Sequence, residues 1–316
     1  MSSNNQRAST RLACAAAGAV ATAALMSAVT PTGAQMLASR PVTPAVVATK
    51  TPAGATASIS MRPAAADPLQ SAAAGPASAP ANAAFSCSGP AELARFNYPL
   101  PHTARRLTSG EPLTIVAVGS SSTTGAGASS PAASYPSRLA AELRQRFPAR
   151  DITVLNRGVN GEDTEQMIAR FETGVIAAHP DLVLWQVGTN SVLRDRPLKP
   201  HSGLLRDGIA RLKEVGADVV LIDMQFAPRV LAKPETEGME DQIALAAKEA
   251  GVDLFARFAL MRNWHEVQRI PFDVFISPDE LHMNDWSYAC VATLLATAIA
   301  EAATRPIASA AAPAAH

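Results

Sequence analysis

Short β-branched runs alternate with longer stretches in which apolar residues recur every three or four positions, from about residue 113 to residue 300. Leu113 to Val118 is an apolar run broken only by Thr114, bounded by Pro112 and Gly119, and reads as a buried strand. Ile152–Leu155, Asp181–Val187, Val219–Ile222 and Val252–Phe255 read the same way. Helical patterns fill the intervals. Ser134 supplies an N-cap and Pro136 a first turn ahead of Leu139, Leu143 and Phe147. Asp163 and Gln166 form a capping-box signature that opens a helix with Met167, Ile168, Phe171 and Val175 inward. Leu205, Ile209 and Leu212 mark a helix that stops at Gly216, and Met239, Ile243 and Ala247 mark another. A last helix carries Val291, Leu294, Leu295 and Ala298. This alternation predicts right-handed crossovers and an α/β fold: a three-layer α/β/α sandwich around a mostly parallel five-stranded sheet, flavodoxin-like. All strand-end loops then open at one edge, where distant segments converge.

The ends of the 316-residue chain lack this pattern. Met1 to Ala34 has basic Arg7 and Arg11, an apolar stretch from Leu12 to Val29, and small residues at Thr32-Gly33-Ala34. That is the build of a secretory signal peptide cut after Ala34, with an uncleaved membrane anchor as the alternative. Residues 35–84 are mostly Ala, Pro, Ser and Thr, with too little apolar surface to offset the entropy of ordering, and read as a disordered spacer. Residues 305–316 read as a similar tail, which leaves 85–304 as the folded domain.

Acidic and basic residues balance at 27 each with no basic run, so nothing supports nucleic-acid binding. Of the three cysteines, Cys14 lies in the leader. An exported chain that retains only Cys87 and Cys290 is expected to pair them, pinning the start of the domain to its last helix. His102, His179, His201 and His265 lack partners at metal-ligand spacing, so no metal site is assigned. Trp185, on the third strand, reads as core or pocket wall rather than a cofactor contact.

Four loops at the common edge carry candidate chemistry. The first holds Ser121, within Gly119-Ser120-Ser121-Ser122-Thr123. It is not a P-loop, because no Lys precedes the hydroxyl residue. It is not the Gly-x-Ser-x-Gly elbow, because Thr123 stands where the second Gly belongs. The second loop, Asn156 to Gly161, follows the second strand, and the third, Gly188 to Ser191, follows the third strand. The fourth, Asp279-Glu280-Leu281-His282, precedes the last helix. Acyl transfer through a serine needs a base, an orienting acid and oxyanion donors. His282 suits the base, and Asp279 three residues earlier suits the orienter. The N–H groups of Ser121 and Gly158 and the Asn190 amide suit the oxyanion. Ser120 and Ser122 remain rival nucleophiles.

These pieces, in this order, resemble the SGNH/GDSL hydrolase family. The resemblance covers the folded domain. It aligns Ser121 with the nucleophile, Gly158 with the second block, Gly188-Thr189-Asn190 with the Gly-x-Asn block and Asp279 with His282 as Asp-x-x-His. Two positions depart from the family pattern: Ser120 stands for the usual Asp, and Ser191 for the Asp that often follows the Asn. The resemblance implies a serine esterase that needs no cofactor. With export, it implies short O-acyl esters on a saccharide as substrate. An acyltransferase to a sugar hydroxyl, a lysophospholipase or lipase, and a non-catalytic carbohydrate-binding module are the alternatives. Arg157 and Gln225 are expected to line the substrate pocket, and oligomeric state is left open.

Overall fold

One sheet of five parallel strands organises the computed structural model, which describes residues 85–305. The leader, the spacer and the tail beyond 305 lie outside the described residues. The strands are β1 (Leu113–Gly119), β2 (Ile152–Gly158), β3 (Leu182–Gln186), β4 (Asp218–Ile222) and β5 (Asp253–Phe255). Their order is β2-β1-β3-β4-β5, and every pairing is parallel. The apolar runs sit at the centre: Ile115 to Val118 and Leu182 to Trp185 are fully buried, as strands covered on both faces must be. The expected sandwich is therefore the observed one. β2 is an edge strand, and it is longer than its apolar run. Pairing with β1 continues through Asn156, Arg157 and Gly158, the last opposite Gly119. These residues were expected in a loop; an edge strand tolerates their polar side chains because one flank faces water.

Among the described residues twelve α-helices flank the sheet: α1 (Pro101–Ser109), α2 (Ser121–Thr124), α3 (Tyr135–Arg146), α4 (Thr164–Ala169), α5 (Phe171–Gly174), α6 (Thr189–Leu193), α7 (Leu198–Glu214), α8 (Pro228–Leu231), α9 (Thr236–Ala250), α10 (Arg257–Arg262), α11 (Phe272–Phe275) and α12 (Asp285–Thr304). α12 packs on α3 and α1, and α7 on α9 and α4, which makes the two helical layers. α12 buries Val291, Leu295 and Ile299, each worth roughly 1.5–3 kcal/mol when fully buried. The single helix expected after Asp163 is broken at Arg170 into α4 and α5, although its capping box forms as expected. The cause is tertiary. The Arg170 guanidinium reaches Glu162 and the Arg157 carbonyl, a geometry that outweighs one more helical turn.

Cys87 and Cys290 form a disulfide with Cα atoms 5.3 Å apart, joining the first described residues to α12 as expected. Arg305, assigned to the tail, still belongs to the fold: its guanidinium donates to the Phe96 and Asn97 carbonyls at 2.8 and 3.2 Å.

The order of strands reverses at β1, since the chain moves outward to β2 and then crosses back to β3. Open α/β sheets leave a crevice at such a point, between the loops that follow the two central strands. Here those loops are the Ser121 turn and the Gly188–Ser191 turn.

Candidate active site

Ser121 opens α2, directly after β1, and α2 is a single turn ended by Gly125 in the left-handed region. As the first helical residue its N–H has no intrahelical acceptor and is available to a ligand. Its hydroxyl lies 2.8 Å from His282 Nε2. The two rival serines point the other way. Ser120 Oγ donates to Gln186 Oε1 at 2.9 Å, Ser122 Oγ to Gln225 Oε1 at 3.4 Å, and both residues are buried. Only the middle serine of the three meets the histidine.

His282 is presented by a closed loop. Ile276 and Met283 bridge antiparallel, and Ser277 donates both its N–H and its hydroxyl to the His282 carbonyl at 2.7 Å. Within the loop Glu280 takes a positive φ of 60°, which turns the chain so that Asp279 faces His282. Asp279 Oδ2 accepts from the ring at Nδ1, while Oδ1 accepts from the backbone N–H groups of Leu281 and His282 at 3.0 and 2.9 Å. Burial pushes the Asp279 pKa up, but these hydrogen bonds outweigh it and hold it below the ordinary carboxylate value. An ionised Asp279 can only accept, so Nδ1 carries the ring proton. Nε2 is then left with a lone pair toward the Ser121 hydroxyl, and the array can take a proton from that hydroxyl and return it.

The segments bearing the serine and the histidine are also tied together behind the site. Tyr288 donates its hydroxyl to the Ala126 carbonyl at 2.7 Å, and Asp285 accepts from the Ser129 N–H at 2.8 Å. Both join the start of α12 to the segment that follows α2.

Of the other expected oxyanion donors, the Gly158 N–H is already engaged and the Asn190 amide keeps one hydrogen. Gly158 packs against α2 so closely that a Cβ would lie 2.3 Å from the Thr124 nitrogen, so only glycine fits. Its N–H donates to Asn156 Oδ1 at 2.9 Å. Gly188, at φ 93°, caps α6 in a conformation that side chains disfavour. Asn190 Nδ2 donates to the Glu162 carbonyl at 2.9 Å, which uses one of its two hydrogens.

The two expected substrate contacts fare differently. Arg157 is exposed on β2. Gln225 is a correction. It is about 1% exposed, and its amide is bonded to protein atoms on every side, so it does not line a substrate pocket. A surface pocket of about 520 Å³ does adjoin the histidine loop, lined by Pro228, Phe272, Ile276 and Glu280 among others.

Three polar groups beneath the site escaped the sequence reading. Gln186 Oε1 accepts from the Ser120 N–H and hydroxyl, each at 2.9 Å. Tyr135 meets Thr123 Oγ1 at 3.2 Å, and burial pushes its phenol pKa up to about 12, keeping it neutral. Arg257 is fully buried behind Gln225. The available signals were a lone Gln closing an apolar strand and a lone Arg between Phe255 and Phe258.

Serine, histidine and acid thus meet at one edge of a parallel α/β/α sandwich, from the turn after its first strand and the loop before its last helix, the layout of SGNH/GDSL-like folds. The chain belongs to the non-GDSL lipase-like family, whose model matches residues 86–305. It is similar to an arylesterase of Vibrio mimicus, 34% identical over 95 residues, which cover 30% of this chain and 46% of that protein. The chain thus spans about half the length of the curated relative it matches. Among solved structures it is similar to a two-domain esterase (CEX) active on acetylated mannans. That likeness has a TM-score of 0.59 and 22% identity, over 71% of this chain and 59% of that one. It is also similar to LAE5, an alpha/beta hydrolase from the metagenome of Lake Arreo, Spain, with a TM-score of 0.50 and 22% identity over 59% of this chain and 96% of that one.

Proposed function

We propose that the protein is an exported serine esterase that hydrolyses carboxylic esters, with short O-acyl groups on a saccharide as its substrates. The observation that carries the reading is the unbroken line of hydrogen bonds from Ser121 Oγ through His282 to Asp279. Ser121 Oγ attacks the ester carbonyl carbon as its proton passes to His282 Nε2. The carbonyl oxygen becomes an oxyanion, held by the Ser121 N–H and the second Asn190 hydrogen, and by the Gly158 N–H once it turns from Asn156 Oδ1 to the ligand. Collapse breaks the bond to the alcohol oxygen, which leaves with the proton from His282. Water then adds to the acyl-enzyme by the same route, releasing the acid and restoring Ser121.

Export is supported by the disulfide, since such bonds persist in oxidising compartments, and by the leader-like residues 1–34. The saccharide ester is supported by the fold shared with the esterase active on acetylated mannans. The same reading assigns Arg157, exposed on β2, to the mouth of the pocket.

A fluorophosphonate probe followed by mass spectrometry tests the chemistry. Ser121 is expected to carry the adduct, and Ser121→Ala to lose both the adduct and hydrolysis of p-nitrophenyl acetate. Labelling that persists in Ser121→Ala would overturn the assignment. Release of acetate from acetylated mannan or xylan, compared with a p-nitrophenyl ester series, tests the substrate class.

A further inference from the structure

Gln225 lies three residues beyond the end of β4, in the core behind the site. Its Oε1 accepts from Thr189 Oγ1 at 3.0 Å, Arg257 Nη2 at 3.2 Å and Ser122 Oγ at 3.4 Å. Its Nε2 donates to the Leu281 carbonyl at 3.3 Å. Chemistry fixes the direction of this amide. Arg257 can only donate and the Leu281 carbonyl can only accept, so the oxygen must face the arginine and the nitrogen the loop.

The three tethered segments are those that carry the proposed chemistry. Ser122 follows Ser121, Thr189 precedes Asn190, and Leu281 precedes His282. One side chain is therefore bonded to the immediate neighbour of the nucleophile, of an oxyanion donor and of the base. Arg257 anchors it in turn, since the guanidinium is fully buried and also bonded to the Asp223 carbonyl. Leu281 is itself buried, so its carbonyl needs the partner that Gln225 supplies.

We propose that Gln225 is a positioning residue that sets the mutual placement of Ser121, Asn190 and His282 by bonding the residue next to each, without touching substrate. The inference rests on the serine-esterase reading above. It accounts for a polar side chain deep in an apolar layer, and for why that side chain is an amide: no hydrocarbon, cation or carboxylate can accept from three donors and also donate to a carbonyl.

Gln225→Glu is nearly isosteric and keeps the acceptor for Ser122, Thr189 and Arg257. It replaces the donor to Leu281 with an oxygen that repels the carbonyl, so the histidine loop moves relative to Ser121. A displacement of about 1 Å at such a site costs on the order of 100-fold in rate. The expected result is a kcat lower by about 10- to 100-fold with KM unchanged. The factor should be the same for acetyl, butyryl and octanoyl p-nitrophenyl esters and for the rate of fluorophosphonate labelling. A loss that appears in KM, or that varies with acyl length, would identify a substrate contact and overturn the proposal, as would wild-type kcat in Gln225→Glu.

If Gln225→Glu does not fold, Thr189→Val and Ser122→Ala each cut one tie and decide the matter. Each is expected to lower kcat by about threefold or more at unchanged KM, and the pair together to be non-additive, because both act through one amide. Wild-type kcat in both would overturn the proposal. Failure of the wild type to label at Ser121 would sink the esterase reading itself, an outcome distinct from any result on Gln225.

Discussion

Asp279 and His282 are joined twice, by the ring Nδ1 to Oδ2 and by the His282 backbone N–H to Oδ1 at 2.9 Å. The backbone contact holds the carboxylate whatever the ring does, and the carboxylate then orients the ring. Asp279→Asn would leave an oxygen for the backbone donors but set an NH₂ against Nδ1–H. The ring must then move its proton to Nε2, where it faces Ser121 and cannot act as base. We expect kcat for p-nitrophenyl acetate to fall by about 10³- to 10⁴-fold, with a small drop in melting temperature at neutral pH as the carboxylate's contribution is lost. A loss of less than tenfold would mean that Asp279 does not orient the base. The carboxylate is held below its ordinary pKa, so it stays ionised as pH falls through the usual Asp range. Its contribution to stability is present above the unfolded pKa and is lost only as pH drops through the lower folded value.

Asn190 offers a separable test of the proposed oxyanion site. Its amide has one hydrogen on the Glu162 carbonyl and one available for ligand. Asn190→Ala is expected to lower kcat by about 10²- to 10³-fold with little change in KM, as loss of a transition-state donor does. Affinity for a boronic acid that mimics the tetrahedral intermediate should fall by a comparable factor. If kcat falls and boronate affinity does not, Asn190 acts on the loop at Glu162 instead.

That Ser121, Asp279 and His282 meet was legible in the sequence because Ser121 follows the first strand and the other two precede the last helix, an order that resembles the SGNH/GDSL pattern. The disulfide was legible by elimination, two cysteines being left after the leader. What stayed hidden depends on which way a side chain faces. Gln225 was expected to meet substrate, since a polar residue just past a strand end can turn to water or inward with the same sequence. It turns inward because Arg257, distant in the chain, is buried there. Likewise the polar residues Asn156 and Arg157 suggested a loop, while pairing with β1 carries β2 on to Gly158. The break at Arg170 arises from partners on β2 and at Glu162, which local helical periodicity does not encode.

The Cys87–Cys290 bond closes 203 residues of chain, so it should stabilise chiefly by restricting the unfolded state. The same N-terminal segment is also held by Trp264 Nε1 donating to the Ser88 carbonyl at 2.8 Å. A Cys87→Ser/Cys290→Ser double variant is expected to lose about 2–4 kcal/mol in denaturant unfolding while keeping its kcat at 25 °C. Equal unfolding midpoints for the oxidised and reduced wild type would contradict this.

Below the sheet edge, Asp223 and Glu240 share a buried site with Arg257, two acids for one cation. Burial raises the Asp223 pKa to about 6, against the hydrogen bonds from Glu240 and Phe258 and the Arg257 charge. Burial, with the neighbouring Asp223 charge, raises Glu240 well above its ordinary 4.5. Glu240 is therefore the acid that keeps its proton in the fold. Between 4.5 and the raised folded value, the folded state binds a proton that the unfolded chain has released. Stability must then decline as pH rises through that window. Glu240→Gln removes the titration but leaves an oxygen to accept from the Met224 N–H, a bond of 3.2 Å in the native chain. The melting temperature of Glu240→Gln minus that of the wild type should thus be small near pH 4 and grow more positive toward pH 8, as followed by calorimetry across that range. Parallel curves would mean that Glu240 is ionised in the fold and shares the Arg257 charge with Asp223.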